Sequence, residues 1–420
     1  MTRNRSDDEP GRPWPVQLFT PFPAAPGLVF ARTAARSRAF APNDAAHGAR
    51  VLIGSAAGTD RADVAVRARG ELAERVGNVL AGRRAEAGGH GSVTGSYDTL
   101  RRAGTPVLDP LSWPELRDAA TALRSAELLW VPGESLTGGR ETMVPACAVH
   151  LAHRPPPGCA APLRPGSTGL AAHRTRAEAG RHAALEVLER HLLWHAWYAD
   201  GPRTVPPPGA GPALSPQLQE SLEALGVTAT FVALPSRDGA VCVLACLHAP
   251  DGTGQTFGAR AACPTDASGE TVPRAAAESA CHEALMVRWS LGTPAALDAW
   301  QRLRAADGEP PYGPLEHALH TYHRQDSLAH LLRGSTPLTP GPRARRPHGG
   351  QPAHLAGILA DLTEEDVVLV DTTPAAGRAA LGGAEAVVRL VAPGARRLPA
   401  DERAQRSPNR FRTLLPHPLG

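Results

Sequence analysis

Apolar positions recur at helical spacing in five stretches, about Arg61 to Ala81, Trp113 to Glu127, Arg176 to Tyr198, Val272 to Leu291 and Pro314 to Leu332, and each predicts a helix. Four shorter valine-rich runs bounded by turn residues predict strands: Thr228 to Leu234, Ala240 to His248, Asp366 to Asp371 and Ala386 to Val391. Helical and strand patterns alternate, so the expected fold class is mixed α/β. Proline and glycine mark the seams. Pro155-Pro156-Pro157, Pro202 to Pro216, and Gly334 to Pro352 with Arg343, Arg345, Arg346 and His348 read as surface connections. Residues 1–20 are expected to form a flexible tail.

Comparing the chain with itself adds a second layer. Ala56 to Arg75 reads AAGTDRADVAVRARGELAER, and Ala171 to Arg190 reads AAHRTRAEAGRHAALEVLER, an ungapped copy. Alanine is common here, so the weight falls on Glu-x-x-Glu-Arg, which occurs in both copies on a helix that follows a small-residue loop. Glutamates three apart share a helix face with Cβ atoms about 5–6 Å apart, close enough to repel. The arginine four residues on from the first glutamate, Glu71 to Arg75 and Glu186 to Arg190, offers about 0.2–0.5 kcal/mol of compensation per pair. For one helix a solvated face would suffice. Two such helices in pseudo-symmetric halves bring Glu71, Glu74, Glu186 and Glu189 to a shared cleft. Four hard oxygen ligands suit Mg²⁺ bridging to nucleotide phosphates, with the arginines as bidentate clamps.

Composition narrows the classes. A chain of 420 residues forms two lobes or one large domain, and 42% hydrophobic with 20% charged residues is ordinary for a globular protein. All 44 basic residues are arginine. A phosphate-binding P-loop, a pyridoxal Schiff base and a protein kinase each need a lysine, so all three are excluded. A net charge of +3 gives no electrostatic case for nucleic acid. Six irregularly spaced cysteines suit a reducing cytoplasm, and no run of eighteen apolar residues suggests a membrane span. His191 and His195 lie one helical turn apart but lack a third zinc ligand. Cys242 and Cys246 share a strand face and read as buried. His282 reads as a helix-surface histidine, and Ser167 lacks the Gly-x-Ser-x-Gly turn of a serine hydrolase.

These motifs resemble the YcaO domain family, in particular its members that modify ribosomally made peptides. The resemblance rests first on the paired Glu-x-x-Glu-Arg helices. It extends to Ser167-Thr168-Gly169-Leu170-Ala171 leading to Glu178, Glu186, Glu189 and Arg190, then His191 and Trp194. Further on it includes Phe257-Gly258 to Arg288 with Glu283, the closing segment Asp366 to Pro393, and the ending Leu415-Pro416-His417-Pro418-Leu419-Gly420. The chain departs from many relatives at Ala56-Ala57-Gly58, His173 and Met286.

The resemblance implies a YcaO-like domain over 21–420, with halves of about 45–150 and 160–420 around an ATP-binding cleft and a proline-rich tail at 408–420. It implies ATP and Mg²⁺ as cofactors, with Glu71, Glu74, Glu186 and Glu189 as metal ligands and catalytic residues. Ser167, Arg75, Glu178, Arg190, Glu283 and Arg288 would bind the nucleotide or order its site. The implied reaction is ATP-dependent cyclodehydration of a precursor peptide to thiazoline or oxazoline, in the cytoplasm. Fewer than 60 residues precede the first motif, so a separate leader-peptide-binding partner is expected, with a homodimer as a possible assembly. Thioamide or amidine formation and a non-catalytic scaffold are the alternatives, and retention of all four glutamates argues against the scaffold.

Overall fold

The computed structural model describes residues 14–42, 48–119, 122–207, 211–236, 239–263, 272–305, 313–338, 351–374, 383–402 and 415–419. Most of the expected N-terminal tail, the arginine-rich part of the Gly334 to Pro352 connection and residues 408–414 lie outside them. The described chain is mixed α/β, as expected.

Three sheets build it. The first is antiparallel, β1 (Gln17–Phe19), β2 (Val29–Ser37) and β3 (Arg50–Gly58), with β2 and β3 paired over their whole length from Val29↔Gly58 to Ser37↔Arg50. The central sheet runs β4 (Val93–Ser96), β5 (Glu127–Ser135), β13 (Val368–Asp371), β14 (Ala386–Val391) and β7 (Leu170–His173), with β6 (Glu141–Pro145) hairpinned to β5. The third has the order β11 (Thr256–Ala262), β10 (Val241–His248), β9 (Thr228–Pro235), β8 (Thr204–Val205) and β12 (Thr336–Pro337). The helices are α1 (Arg61–Glu86), α2 (Tyr97–Arg102), α3 (Ala122–Ser125), α4 (Ala146–Val149), α5 (Arg176–Tyr198), α6 (Pro216–Ala224), α7 (Arg274–Leu291), α8 (Pro294–Ala305), α9 (Pro314–Arg324), α10 (Ser327–Leu332) and α11 (Pro352–Thr363).

Helix α5 is the axis of the core. Its Ala183, Leu188 and Leu192 share one cluster with Leu369, Val388 and Leu390 of the central sheet and Cys242, Leu244 and Cys246 of the third. Residues on every face are buried, so α5 is a core helix rather than an amphipathic surface one. Each fully buried leucine such as Leu188 contributes about 1.5–3 kcal/mol by leaving water. Strand β10 is buried on both sides. Its alternate residues Val241, Val243, Ala245 and Leu247 pack with Ala277, Ala280, Cys281 and Ala284 of α7. The expected burial of Cys242 and Cys246 is therefore observed.

Two glycines set how closely the strands approach their helices. A Cβ on Gly54 of β3 would lie 2.1 Å from the Ala68 carbonyl and 2.6 Å from the Leu72 nitrogen of α1. A Cβ on Gly258 of β11 would lie 2.2 Å from the Ala280 carbonyl and 2.7 Å from the Ala284 nitrogen of α7. Only a residue without a side chain permits that contact.

Several expectations need correction. Trp113 to Glu127 is not one helix. A 3-10 turn over Pro114–Ala119 and the short α3 bury Trp113 and Leu123, and Glu127 already pairs with Ser96 in the central sheet. The pattern Pro314 to Leu332 splits into α9 and α10 at Gln325, whose φ of 66° is left-handed. The small-residue loops before the two acidic helices are strand ends: Ala56 to Gly58 close β3, and Ala171 and Ala172 lie in β7.

Candidate acidic and arginine-lined site

Both motif helices start on local signals. The Asp60 carboxylate accepts hydrogen bonds from the Ala62 and Asp63 nitrogens at the start of α1. At the start of α5 the Thr175 hydroxyl accepts from the Glu178 nitrogen at 3.2 Å and donates to the Glu178 carboxylate at 2.8 Å. His173 also bonds that carboxylate. Glu178, expected to contact or order a nucleotide site, is thus exposed in the first turn of α5 and occupied by Thr175 and His173.

The four motif glutamates are brought together with Glu283. On α1, Glu71 accepts from the Ser55 nitrogen of β3 at 2.6 Å and pairs with Arg75 at 2.5 Å. Arg75 also donates to the Ile53 carbonyl. Glu74, one turn on, crosses to the central sheet and accepts from the Ala172 nitrogen at 3.2 Å. On α5, Glu186 accepts from Gly169 at 3.0 Å and Glu189 reaches the third sheet to accept from Ala261 at 2.9 Å. On α7, Glu283 accepts from Ala259 at 2.9 Å. Each carboxylate is held by a backbone amide: Ser55, Ala172, Ala259 and Ala261 lie in strands of three sheets, and Gly169 lies in the turn before β7.

The electrostatics follow that convergence. Burial and the nearby Glu186 hold the Glu74 carboxyl well above the usual carboxylate range, with Glu71 adding to the effect. Glu186 is raised by burial against the attraction of Arg190, Arg389 and Arg260. Glu189 is pushed up to about 7 by burial, with Glu283 and Glu186 as like charges that Arg190 and Arg260 do not offset. The Arg190 guanidinium lies 3.6 Å from Glu189 and its charged form is favoured by Glu189, Glu283 and Glu186.

The other expected site residues stand apart. Ser167 is exposed in the loop before β7, and its carbonyl accepts from the Leu170 nitrogen. Arg288 turns to the Gly254 carbonyl at 2.8 Å and lies over the Tyr322 ring, away from the carboxylates. His191 accepts from the Arg396 nitrogen through Nδ1 and stacks near His195, with no third ligand among the described residues. His282 is largely enclosed rather than on the surface, which lowers its pKa to about 4.

Two arginines belong to the site that the sequence reading passed over. Arg260 sits on β11 between Ala259 and Ala261, the two residues whose amides Glu283 and Glu189 hold. Arg389 is 1% exposed within the apolar run of β14, donates to the Gly166 carbonyl at 2.8 Å, and leaves its Nε without a partner. Burial pulls its pKa down to about 9. A lone charge in an otherwise apolar strand was the available signal, because buried charges are kept only when paired or used. A pocket lined by Thr168, Val187, Arg389, Arg396 and Arg397 opens beside it.

Carboxylates that crowd, repel and lose water are stabilised by a divalent cation, and their hard oxygens match Mg²⁺. In the structure their oxygens point to backbone amides, and among the described residues no three of them converge within 4.8 Å. The donor set fits the metal, and the unpartnered Arg389 Nε fits a phosphate oxygen.

The chain is mixed α/β, gathers acidic and arginine side chains at one place, and has no lysine for a P-loop. The family profile described as YcaO cyclodehydratase, ATP- and Mg²⁺-binding, matches residues 43–396, and the chain belongs to that family. ATP and Mg²⁺ are therefore its cofactors. An uncharacterized protein of Methanothermobacter thermautotrophicus is 38% identical over 140 residues, covering 33% of this chain and 36% of that protein. Among solved structures, YcaO from Methanopyrus kandleri bound with AMPPCP and Mg²⁺ superposes with a TM-score of 0.54 at 20% identity, over 96% of this chain and 90% of the other. A heterocyclase in complex with substrate and cofactor gives 0.57 at 17% identity, over 83% of this chain and 45% of its own. The Escherichia coli microcin synthetase McbBCD complex gives 0.53 at 14% identity, over 86% and 87%. The chain spans about a third of the curated relative and under half of the heterocyclase, and at these identities the solved structures establish the fold. Among the described residues no helix is long and apolar enough to cross a membrane.

Proposed function

We propose that this protein activates backbone amides of a ribosomally made precursor peptide and closes cysteine, serine or threonine side chains onto them as thiazoline or oxazoline rings. The observation that carries the reading is the convergence of carboxylates from three helices, Glu186 acting on Glu74 and both Glu186 and Glu283 acting on the buried Glu189.

In this reading Glu71, Glu74, Glu186 and Glu189 hold Mg²⁺. Bound ATP supplies a γ-phosphoryl group that turns the amide oxygen into a leaving group. The chain's own contribution is position and charge, which is most of what phosphoryl transfer requires. Arg75 fixes Glu71 and steadies β3 through the Ile53 carbonyl. Arg190 of α5 and Arg389 of β14 neutralise phosphate charge, and the Gly169 amide at the end of the Ser167 loop holds Glu186 in place. Glu283 holds β11 in register through Ala259, so that Glu189 and Arg260 face the cleft. Glu178 acts through the first turn of α5 rather than on the nucleotide. Water is excluded by the packing of α5 between two sheets, which strengthens each charge interaction inside.

A peptide substrate and a separate leader-binding partner belong to the same proposal. A second form of the microcin synthetase complex, with pro-MccB17 bound, has the same fold at a TM-score of 0.53 and supports a peptide substrate for this chain.

The test is to incubate the purified chain with its precursor peptide, the leader-binding partner, ATP and Mg²⁺, and to weigh the peptide. Loss of one water per modified residue, with ADP and phosphate formed, is expected. Exchange of oxygen for sulfur would replace the reading with thioamide formation. An unchanged peptide with intact ATP, and no Mg²⁺-dependent ATP binding, would leave only a scaffold.

A further inference from the structure

Far along the chain from the glutamate motifs, three buried side chains come together: His317 of α9 (0% exposed), Glu402 (4%) and His417 of the C-terminal tail (5%). One ligand-type atom from each lies within 4.8 Å of the other two, and the rings of His317 and His417 are stacked at 4.1 Å.

The hydrogen bonds assign the protons. His317 Nδ1 is 2.8 Å from the Gly313 carbonyl, and His417 Nε2 is 2.9 Å from the Pro399 carbonyl. A carbonyl only accepts, so both nitrogens carry hydrogen. In neutral rings the lone pairs then sit on His317 Nε2 and His417 Nδ1. His317 Nε2 faces the Glu402 Oε1 at 3.2 Å, an acceptor against an acceptor. His417 Nδ1 is buried without a partner, and so is Glu402 Oε2. Glu402 Oε1 is already saturated, accepting from the Tyr198 hydroxyl at 2.6 Å and the His417 nitrogen at 3.1 Å.

Buried polar atoms without partners are costly, and two stacked buried imidazoles cannot both be charged: a proton on His317 Nε2 would settle its contact with Glu402 Oε1 and still leave His417 Nδ1 and Glu402 Oε2 unpartnered. One ion removes the whole deficit. A carbonyl bonded to the distal nitrogen of a histidine, and a hydroxyl bonded to the distal oxygen of a carboxylate, are the usual outer supports of metal ligands. Two imidazole nitrogens and one carboxylate oxygen suit Zn²⁺.

The geometry points to a structural zinc site formed by His317, Glu402 and His417, which staples the C-terminal tail to α9 and, through Tyr198, to α5. It uses none of the clustered glutamates and stands whether or not that cluster binds ATP.

The test uses the untagged full-length chain. After EDTA dialysis and reloading, elemental analysis is expected to find one zinc per chain in the wild type and in Glu186→Gln. His417→Ala and Glu402→Gln are expected to weaken zinc binding at least tenfold. Cobalt loading of the wild type is expected to give the visible d–d absorption of a low-coordinate site, lost in His317→Ala, and zinc is expected to protect the tail from carboxypeptidase. A wild-type chain that retains no zinc and shows no cobalt absorption overturns the site without any variant. Undiminished zinc in both His417→Ala and Glu402→Gln overturns the assignment of ligands.

Discussion

Replacing Glu189 by glutamine should stabilise the metal-free protein while abolishing its Mg²⁺-dependent nucleotide binding. Glu189 is 5% exposed, and its carboxyl is raised from an ordinary 4.5 to about 7. A pKa raised in the folded state means that the protonated form is favoured there. The stability it confers is full below about pH 4.5 and is lost as pH rises through about 7. At 1.36 kcal/mol per unit, ionised Glu189 burdens the fold at pH 8 by on the order of 3 kcal/mol. Glutamine has the same shape and its carbonyl can still accept from the Ala261 nitrogen, so the burden goes and the hydrogen bond stays. At about 2.1 cal/mol/K per residue, 420 residues unfold with an entropy of roughly 0.9 kcal/mol/K, which converts the gain to about 3 °C in Tm. Thermal unfolding of both proteins in EDTA should show Tm values that coincide near pH 4.5 and diverge as pH rises to 8. With Mg²⁺ and ATP added at about a hundred times Kd, the wild type should gain about 2.7 kcal/mol and the variant nothing. A variant less stable than wild type at pH 8 in EDTA would refute the argument that these carboxylates are held against their own repulsion.

Arg389→Met should lower Mg²⁺-ATP affinity about ten- to a hundredfold in calorimetric titration, since a buried charged contact is worth about 1.5–3 kcal/mol, and it should leave the fold intact. Gly258→Ala should destabilise by about 3 kcal/mol or more in urea unfolding, because its Cβ would lie 2.2 Å from the Ala280 carbonyl. Gly357→Ala in α11, where nothing lies within 4 Å, should stabilise by about 0.5–1 kcal/mol and serves as the control. His150 is fully buried and its pKa is held down to about 3 by burial and by nearby His153. Its neutral ring stabilises the fold above about pH 6.5, and that stability is lost as pH falls towards 3. His150→Leu should therefore move acid unfolding, followed by near-UV circular dichroism, to lower pH.

The parts legible in the sequence were those fixed by local pattern. Helix α5 matches its predicted bounds, because apolar spacing over Arg176 to Tyr198 is continuous and Thr175 with Glu178 caps its start. The paired glutamates were found because the chain repeats them. Strands β2 and β3 were not, since VFARTAARS and RVLIGSAAG are poor in strand-forming residues and gain their extended form from pairing with each other. The same blindness turned Ala56 to Gly58 into a loop. Glu178 and Arg288 were assigned by resemblance to the nucleotide site, and the fold occupies them with Thr175, His173, Gly254 and Tyr322. Glu283 earned its place through a contact no spacing encodes: Gly258 lets β11 lie on α7, which brings the Ala259 amide to the carboxylate. Arg260 and Arg389 stood in view as single charges in small or apolar strands; burial marks Arg389, and only the neighbouring Ala259 and Ala261 amides mark the exposed Arg260.

Helix α5 carries Glu186 and Glu189 in its middle and Trp197 and Tyr198 at its end, where the Trp197 indole donates to the Leu415 carbonyl and the Tyr198 hydroxyl to Glu402. At about 1.5 Å per residue, Glu189 and Trp197 are about 12 Å apart on one unbroken rod. Whatever holds residues 415–419 therefore also holds the far end of the helix that carries two of the acidic residues.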